Sequence, residues 1–353
     1  MALIISSLRS GFIRGMVSRP SSHEKNSYLE ALDTLVPDQS AKYTALDLFA
    51  GCGGLALGFE AAGFETIGYE SDGMACSTYR ANLLGECHET HLTTESKFPK
   101  ADIIIGGPPC QPFSVGGAQR GLEDSRDGFP AFVSAVKQVE PKMFLFENVR
   151  GMLYRGKEYF REVTKELGKL GYIVNCKLIM ASDYGVPQNR QRLFVIGHRH
   201  KFKFPVTHDE KVTAGEALKD IIHLVDEQTR FLTASQDAYV ARYERASKCI
   251  NPRDLRLDRP SRTLTCRNLA GATGDMMRFK LVDGRRKRLN VREAARLQSF
   301  PDWFKFSGPE SAQFKQIGNA VPPLLAFQIA KKMLSALDGR VVNLNERYVL
   351  ELI

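Results

Sequence analysis

Short apolar segments alternate with amphipathic segments along most of the first 200 residues. The apolar runs predict β-strands at residues 44–49, 66–69, 103–105, 143–146, 173–180 and 193–197. Apolar positions at helical spacing predict helices at residues 55–62, 74–84, 129–139 and 159–170. Because strand and helix alternate with short turns, we expect an α/β fold in which helices cover both faces of a mostly parallel sheet.

The pattern changes after residue 197, where the alternation of strand and helix is lost. Helical spacing returns at residues 291–298 and in a final helix that runs through Met333. The segment before the first strand is poor in pattern, and the ordered domain is expected to begin near Tyr43. The predicted organisation is an N-terminal extension of residues 1–42, a main unit of 43–199, a smaller inserted domain of 200–287, a return to the main unit over 288–340 and a tail of 341–353.

Most of the net positive charge of the chain is concentrated in the inserted segment. The formal charge is +9, and between Arg199 and Arg288 there are 20 Lys and Arg against 12 Asp and Glu, which leaves +1 for the rest. A localised basic surface attracts phosphates because it neutralises them and releases their counterions. A solvated charged surface without a partner is the alternative.

Length and cysteine usage exclude several classes of protein. At 353 residues the chain is long enough for two domains, and no apolar run reaches the roughly 18 residues of a membrane span. Seven scattered cysteines without a CxxC pair favour a reducing cytoplasm over a disulfide framework. No metal is expected, because the spacing of the densest Cys/His group matches no standard zinc pattern; that group is Cys76, Cys87, His88 and His91.

A glycine-rich turn between the first predicted strand and helix indicates a nucleotide site. Residues 51–54 read Gly-Cys-Gly-Gly, and Glu70 ends the next predicted strand. Glycines let the backbone approach a ligand at a helix N-terminus, and an acid about 20 residues further on can bind ribose hydroxyls. The pattern leaves open whether the ligand is a dinucleotide or S-adenosylmethionine.

Residues 106–114, Gly-Gly-Pro-Pro-Cys-Gln-Pro-Phe-Ser, follow an apolar strand and predict a rigid loop that presents Cys110. Taken alone, this cysteine could be a small buried hydrophobic residue beside a turn. Glu70, Cys110 and Glu147 all lie at predicted carboxyl ends of strands, where open α/β sheets bind their ligands. We therefore expect these three residues to share one crevice.

Residues 188–192, Gln-Asn-Arg-Gln-Arg, lead into a strongly apolar strand. Arg190 and Arg192 stand at alternate positions, so the period of a strand predicts that they point the same way. Two adjacent guanidinium groups suit a phosphate or a carbonyl oxygen. A surface ion pair is the alternative.

Together these stretches resemble the DNA (cytosine-5) methyltransferase family of the bacterial restriction-modification type. The resemblance covers about residues 43–200 and 288–335, and the motifs occur in the family's order. They are residues 47–54 for the cofactor loop, Glu70 for the ribose acid, 106–114 for the nucleophile, 147–149 (Glu-Asn-Val) for the catalytic acid, 188–192 for the arginine motif, 292–301 for the domain-joining helix and 316–322 (Gln-Ile-Gly-Asn-Ala-Val-Pro) for the last cofactor motif.

The resemblance implies a Rossmann-like methyltransferase fold that takes a methyl group from S-adenosylmethionine, releases S-adenosylhomocysteine and needs no metal. The methyl acceptor would be carbon 5 of a cytosine flipped out of a specific double-stranded DNA sequence, and residues 200–287 would be the target recognition domain. The implied catalytic residues are Cys110, Glu147, Arg190 and Arg192. The implied cofactor-binding residues are Asp47, Phe49, Ala50, Gly51, Cys52, Gly54, Glu70, Pro109, Asn319, Ala320 and Val321.

The family's chemistry gives each central residue a role. Cys110 would add to carbon 6 of the cytosine, and Glu147 would supply a proton at ring nitrogen 3 if burial raises its pKa. Arg192 would hold the base carbonyl or a phosphate, while Arg190 would brace the loop. On the cofactor side, the expected contacts are adenine with Phe49, the ribose hydroxyls with Glu70 and the methionine end with Asn319.

The sequence departs from the family pattern in two places. Asp127 and Gly128 stand where the family often has a different pair, at the wall of the cofactor pocket, and residues 90–92 (Thr-His-Leu) stand where an acid often contacts the adenine amine.

The enzyme is expected to be a cytoplasmic monomer without membrane contact, with any cognate restriction endonuclease acting separately. The alternatives are a transfer RNA methyltransferase of the same family and, more remotely, a nicotinamide-dependent oxidoreductase.

Overall fold

A computed structural model describes residues 27–109, 127–199, 201–246, 253–271 and 274–339. Its helices are Ser27–Asp33 (α1), Gly54–Ala61 (α2), Gly73–Asn82 (α3), Phe129–Val139 (α4), Lys157–Lys169 (α5), Ala214–Leu218 (α6), Ala234–Ala246 (α7), Cys266–Ala270 (α8), Val291–Leu297 (α9), Glu310–Asn319 (α10) and Pro323–Leu337 (α11). Its strands are Tyr43–Leu48 (β1), Phe64–Glu70 (β2), Glu86–Glu89 (β3), Ile103–Gly106 (β4), Met143–Val149 (β5), Ile173–Met180 (β6), Gln188–Asn189 (β7), Gln191–His198 (β8), Ser261–Arg262 (β9), Arg278–Lys280 (β10) and Arg286–Arg288 (β11).

A seven-stranded sheet with the order β3-β2-β1-β4-β5-β8-β6 forms the centre of the molecule. The pairs from β3 to β5 are parallel, whereas β8 runs antiparallel to both β5 and β6. The predicted α/β fold with a mostly parallel sheet is therefore confirmed. Because β1, β2, β4 and β5 run in the same direction, their carboxyl ends meet at one edge of the sheet.

Apolar side chains cover both faces of this sheet. In β1, Ala45 joins one buried cluster while Leu46 and Leu48 join the other, as the two-residue period of a strand requires. In β4, Ile104 faces the second cluster, and its neighbours on either side face the first. The first cluster packs against α2 and α11, and the second packs against α4 and α5. Helices on both faces thus bury the sheet, as predicted.

The expectation that order begins near Tyr43 is wrong. Helix α1 precedes that residue, and Tyr28, Leu32 and Leu35 are buried in the first core cluster. The hydroxyl of Tyr28 donates a hydrogen bond to the backbone oxygen of Arg296, at 2.5 Å. Residues 27–42 therefore belong to the fold, whereas residues 1–26 and 340–353 lie outside the described part.

The inserted segment is packed into the main unit. Leu255, Leu264, Leu269 and Met277 are buried in the same cluster as the side chains of α9, α10 and α11. Strand β9 pairs in parallel with β7, which is formed by the first two residues of the arginine motif. The segment that was expected to read DNA is thus anchored directly beside the predicted site. The domain boundaries themselves stay a prediction.

No helix in the described ranges is long and apolar enough to cross a bilayer.

Candidate active site

A cavity of about 570 Å³ opens at the carboxyl ends of β1, β2, β4 and β5. The structure brings together around it every predicted site residue that it describes. From the cofactor set these are Asp47, Phe49, Ala50, Gly51, Cys52, Gly54, Glu70, Pro109, Asn319, Ala320 and Val321, and from the catalytic set they are Glu147, Arg190 and Arg192. The predicted nucleophile, Cys110, lies outside the described residues.

The turn after β1 shapes the floor of the cavity. Phe49 and Gly51 both have positive φ angles, 60° and 57°, so the chain reverses sharply before α2 begins. The N–H of Gly51 donates to Oε2 of Glu70, at 2.8 Å. A Cβ atom at Gly51 would meet no other atom within 4 Å, so this glycine leaves open space on the cavity side.

Gly54 lets the first and last predicted cofactor motifs touch. A Cβ atom at this position would lie 2.6 Å from the backbone oxygen of Val321 and 3.1 Å from Cβ of Ala320. A distance below 3 Å to a backbone atom leaves no room for a side chain. Segments from opposite ends of the fold therefore form one continuous wall.

The carboxylate of Glu70 is held by backbone amides. Oε1 accepts hydrogen bonds from the N–H groups of Ser71 and Asp72, each at 2.8 Å, in addition to the bond from Gly51 to Oε2. A carboxylate has about four lone-pair sites, so these bonds leave acceptor capacity for ligand hydroxyls. Glu70 is thereby held in one orientation at the edge of the cavity.

Asp47 is a buried carboxylate without a hydrogen-bond partner among the described residues. It is 1% exposed, and both of its oxygens lack a donor. Burial raises the pKa of Asp47 well above its usual range, and the nearby charges of Glu70 and Glu60 raise it further. Two acids beside one cavity favour a ligand that brings positive charge and hydrogen-bond donors.

Cys52 contributes to the wall and is not a reactive thiol. Burial raises its pKa to about 12, so the sulfur stays protonated at neutral pH. Its Sγ lies 3.8 Å from the backbone oxygen of Gln316. Nucleophilic chemistry at this cavity would have to come from a different cysteine.

Glu147 and Arg192 form a partly buried ion pair on the other side of the cavity. Nε of Arg192 lies 2.9 Å from Oε1 of Glu147, and the two side chains are 16% and 12% exposed. Burial raises the pKa of Glu147, although the charges of Arg192 and Arg190 act in the opposite direction. A carboxyl whose pKa is raised holds its proton more firmly than an ordinary glutamate does, which is what a proton donor requires.

Asn148, in β5, joins this strand to the loop that leads to Cys110. Its Nδ2 donates to the backbone oxygen of Pro108 at 2.9 Å, and its Oδ1 accepts from the N–H of Val149 at 2.9 Å. The side chain is buried and lines the cavity. The sequence contained Asn148 within a motif but gave it no role, because its partner Pro108 is distant along the chain.

Arg190 is buried and binds two backbone carbonyls. Nη1 donates to the oxygen of Leu264 at 2.9 Å, and Nη2 donates to the oxygen of Gly318 at 3.1 Å. Burial lowers the pKa of Arg190 well below its usual value, and the charge of Arg192 lowers it further. Both arginines line the cavity, as their alternate spacing predicts. Arg190 thus links the inserted segment to the predicted last cofactor motif, which is consistent with the structural role expected for it.

Gly128, one of the two positions that depart from the family pattern, forms part of the cavity's surroundings. A Cβ atom at Gly128 would lie 2.5 Å from Cδ of Pro109 and 2.8 Å from Cζ of Phe49. Its N–H donates to the backbone oxygen of Pro109, at 3.0 Å. The residue that looked irregular in the sequence therefore lets Phe49 and Pro109 pack closely.

The second departure, residues 90–92, does not line the cavity in the part of the chain that the structure describes. Thr90 is nevertheless adjacent to the site, since its N–H donates to the backbone oxygen of Glu70 at 2.8 Å. Asp72 lines the cavity and forms an ion pair with Lys315 at 2.9 Å. The sequence gave no signal for this pair because its members belong to distant segments.

Many basic residues of the inserted segment are neutralised within the protein. Arg278 is fully buried and pairs with Glu244 and Asp254, at 2.8 and 2.6 Å. Further ion pairs are Arg253–Asp275, Arg256–Asp258, Arg259–Asp258, Arg262–Asp275, Arg285–Asp283, Arg286–Asp237 and Lys287–Glu293. Fewer basic side chains are therefore free for an outside partner than their number in the sequence suggests.

No group of three or more His, Cys, Asp or Glu side chains could hold a metal ion within the described ranges. Two members of the Cys/His group, Cys76 and Cys87, instead contact each other, with their Sγ atoms 3.1 Å apart. Burial raises the pKa of both thiols.

The family described as C-5 cytosine-specific DNA methylase matches residues 43–335. The chain is 52% identical to the type II methyltransferase M.AplI of Arthrospira platensis, over 89% of this chain and 92% of that protein. It is 36% identical to M1.HphI of Haemophilus parahaemolyticus (82% and 86% of the two chains) and 34% identical to M.NgoMIV of Neisseria gonorrhoeae (84% and 98%).

Solved structures share the fold. The Entamoeba histolytica methyltransferase EhMeth superposes with a TM-score of 0.66 at 15% identity, over 85% of this chain and 99% of that chain. The S. pombe Dnmt2 methyltransferase superposes with a TM-score of 0.65 at 16% identity, over 84% and 99%.

Proposed function

The chain belongs to the C-5 cytosine-specific DNA methylase family and is a DNA cytosine-5 methyltransferase, and we propose that it modifies one specific double-stranded sequence within a restriction-modification system. The methyl donor is S-adenosylmethionine, and the acceptor is carbon 5 of a cytosine extruded from the duplex. One observation carries the site assignment: the Glu147–Arg192 pair faces the same cavity as Asp47 and Glu70.

The residues around the cavity fit S-adenosylmethionine. The unpaired carboxylate of Asp47 and the open space beside Gly51 lie next to the fixed carboxylate of Glu70. In this assignment Glu70 binds the ribose hydroxyls and Asp47 attracts the positively charged methionine end, with Asn319 beside it. Phe49 packs against the adenine. When bound, the cofactor supplies an electrophilic methyl group attached to a sulfonium.

Carbon 5 of cytosine is a weak nucleophile and must be activated. In the proposed reaction the Cys110 thiolate forms a bond to carbon 6, which pushes the ring electrons towards nitrogen 3. Glu147 donates its proton there, so that no negative charge accumulates on the ring. Carbon 5 then takes the methyl group and loses its proton to a base, the electrons left behind expel the thiolate, and the proton on nitrogen 3 returns to Glu147. The role of Cys110 rests on its sequence motif.

A stacked cytosine cannot reach these groups, so the base must leave the helix at a cost of about a few kcal/mol. Contacts of the protein with the DNA backbone and groove offset this cost and select the sequence. In the proposal this task falls to residues 200–287, which are anchored beside Arg190 through Leu264. The relatives named above are type II methyltransferases, which supports a modification enzyme paired with a separate endonuclease.

The enzyme is proposed to act as a monomer on DNA in the cytoplasm. Sedimentation of the enzyme in complex with a DNA duplex would test this: one protein chain per duplex is expected, and a stable dimer would contradict it.

The test of the function is to express the protein in a bacterial host that lacks cytosine methylation and to map 5-methylcytosine across the genome. We expect methylation of one short sequence at nearly every occurrence. Methylation confined to transfer RNA in the same cells would instead identify the RNA enzyme of this family. Absence of 5-methylcytosine from both nucleic acids, with folded protein present, would contradict the proposal.

A further inference from the structure

Beside the active cavity lies a short surface segment, residues 150–155, to which the proposed mechanism gives no role. It starts where β5 ends, and the last two residues of that strand, Asn148 and Val149, line the cavity. A 3-10 turn over Arg150–Leu153 forms its first part. We call residues 150–155 the rim segment, because they directly follow the strand residues that line the cavity.

Three side chains of the rim segment face solvent. Arg150 and Arg155 are exposed, and Tyr154 is 67% exposed although it is large and partly apolar. Arg150 donates only a long hydrogen bond, 3.5 Å, to the neutral Oε1 of Gln191. Within the part of the chain that the structure describes, neither arginine has an acidic partner. Two positive charges and a phenol hydroxyl are therefore available beside the cavity.

Many arginines elsewhere on the described surface form ion pairs. Arg161, one turn into α5, forms an ion pair with Glu158 at 2.8 Å. Most arginines of the inserted segment are likewise matched with acids, for example Arg262 with Asp275 at 2.9 Å. The arginines of the rim segment differ from these in lacking an acidic partner among the described residues, a property that they share with the exposed Arg242, Arg245 and Arg267 of the inserted segment.

The backbone of the rim segment is fixed. The oxygen of Gly151 accepts hydrogen bonds from the N–H groups of Tyr154, at 3.1 Å, and Arg155, at 3.0 Å. Met152 is completely buried and ties the turn to the core. Side chains that project from a fixed backbone lose less entropy when they bind a partner.

We propose that the rim segment binds the backbone of the DNA strand that carries the target cytosine. Arg150 and Arg155 each neutralise one phosphate, and the hydroxyl of Tyr154 donates a hydrogen bond to a phosphate oxygen. The position next to Glu147 places these contacts beside the extruded nucleotide, where the backbone must be held for the base to stay in the pocket. The inference rests on the proposed function, since it requires a DNA substrate.

Phosphate contacts of this kind raise affinity without reading sequence. The rim segment belongs to the main unit, so it acts on any sequence that residues 200–287 select. Its loss should weaken DNA binding and leave the recognised sequence unchanged.

The test compares the wild-type enzyme with a double variant, Arg150→Ala with Arg155→Ala, on a duplex that contains one cytosine found to be methylated in the genome map. Each lost phosphate contact should reduce the slope of log K against log salt concentration by about 0.9, so the double variant should lose about 1.8. The KM for DNA should rise while kcat stays within about twofold, because the contacts act on binding.

Three further variants separate charge from folding effects. A double change to lysine keeps both charges, so it should keep the wild-type salt slope. Tyr154→Phe removes a neutral donor, so it should weaken binding without changing the slope. Lys169→Ala removes one exposed charge at the far end of α5, where it pairs with Glu166, and should leave both the slope and KM unchanged. A double change to glutamine replaces the alanine variant if the latter does not fold.

A wild-type salt slope and KM in the double variant would overturn the inference, and so would a fall in kcat with KM unchanged. If the wild-type enzyme itself methylates no DNA, it is the proposed function that fails.

Discussion

The buried position of Glu147 explains both its raised pKa and its ion pair with Arg192. Burial alone would keep this carboxyl protonated, whereas Arg192, 2.9 Å away, stabilises the ionised form. The first effect is the larger one, so the pKa of Glu147 is raised. A proton can then be held before the reaction and released to the base during it.

We predict that Glu147→Gln lowers kcat by about 10²–10⁴-fold, because the amide can donate a hydrogen bond but cannot transfer a proton. Single-turnover methyl transfer measures the effect. Glu166→Gln, an exposed change on α5, is the control and should retain full activity. An active Glu147→Gln enzyme would remove the proton transfer from the mechanism.

Asp47 connects cofactor binding with stability. Its pKa in the folded protein is raised above the unfolded value, so its contribution to stability is fully present below the unfolded pKa and is lost as the pH rises through the folded pKa. Ionisation of this buried acid therefore lowers the stability of the cofactor-free protein as the pH rises.

We predict that Asp47→Asn makes the cofactor-free protein more stable than the wild type, with a Tm difference that grows from pH 5 to pH 8. The same change should weaken binding of S-adenosylmethionine by about tenfold or more, since a charged contact is worth ~1.5–3 kcal/mol. Thermal unfolding across pH and calorimetric titration measure the two effects. Equal Tm values at all pH values would show that Asp47 finds a partner in solution.

Single residues were predictable from the sequence where a motif fixed their chemistry. Glu70 and Glu147 were predicted from their positions at strand ends and Arg192 from its alternation with Arg190, and the structure brings all three to one cavity. The bond from Asn148 to Pro108 and the ion pair of Asp72 with Lys315 were not predictable, because each joins segments that become neighbours only through the fold.

Secondary-structure elements were predictable where the apolar period was long. Helix α4 occupies exactly the predicted residues 129–139, and β6 occupies 173–180. The antiparallel direction of β8 was not predictable, since an apolar run does not encode direction. Helix α1 was missed although Tyr28, Leu32 and Leu35 have helical spacing, because a seven-residue helix is too short to be stable alone.

The contact of α2 with α11 provides a test of packing between elements. We predict that Gly58→Ala destabilises the protein by about 1–3 kcal/mol, because its Cβ would lie 2.4 Å from the backbone N of Phe327 and 2.5 Å from Cβ of Ala326. Denaturant unfolding measures the change.

Gly168→Ala in α5 is the matched control. A Cβ at Gly168 meets no atom within 4 Å, so the change should stabilise the protein by about 0.5–1 kcal/mol through helix propensity. Equal effects of the two changes would show that α2 and α11 are not in close contact.

At the scale of the whole molecule, the inserted segment and the main unit are less separate than their sequence patterns suggested. Leu264 and Leu269 are buried with the side chains of α9 to α11, and Arg190 binds across the junction. The composition of residues 200–287 showed that this segment differs from the main unit, but it could not show how the two pack together.

We predict that replacing residues 200–287 with the corresponding segment of a relative changes the methylated sequence and leaves methyl transfer to carbon 5 intact. The replacement must keep Leu264 and Leu269, because the shared core would otherwise lose about 2–5 kcal/mol per truncated side chain. Mapping of 5-methylcytosine reads the outcome. An unchanged target sequence in a folded hybrid would place recognition elsewhere in the chain.

The covalent step through Cys110 is tested most directly by a DNA duplex with 5-fluorocytosine at the target position. Fluorine cannot leave as a cation, so the reaction should stop after methyl transfer with the cysteine still bound to carbon 6. Denaturing mass spectrometry should then find one DNA strand attached to Cys110 in the wild-type enzyme, and no adduct in Cys110→Ser. Methylation of ordinary DNA by Cys110→Ser, or an adduct on any other residue, would contradict the mechanism.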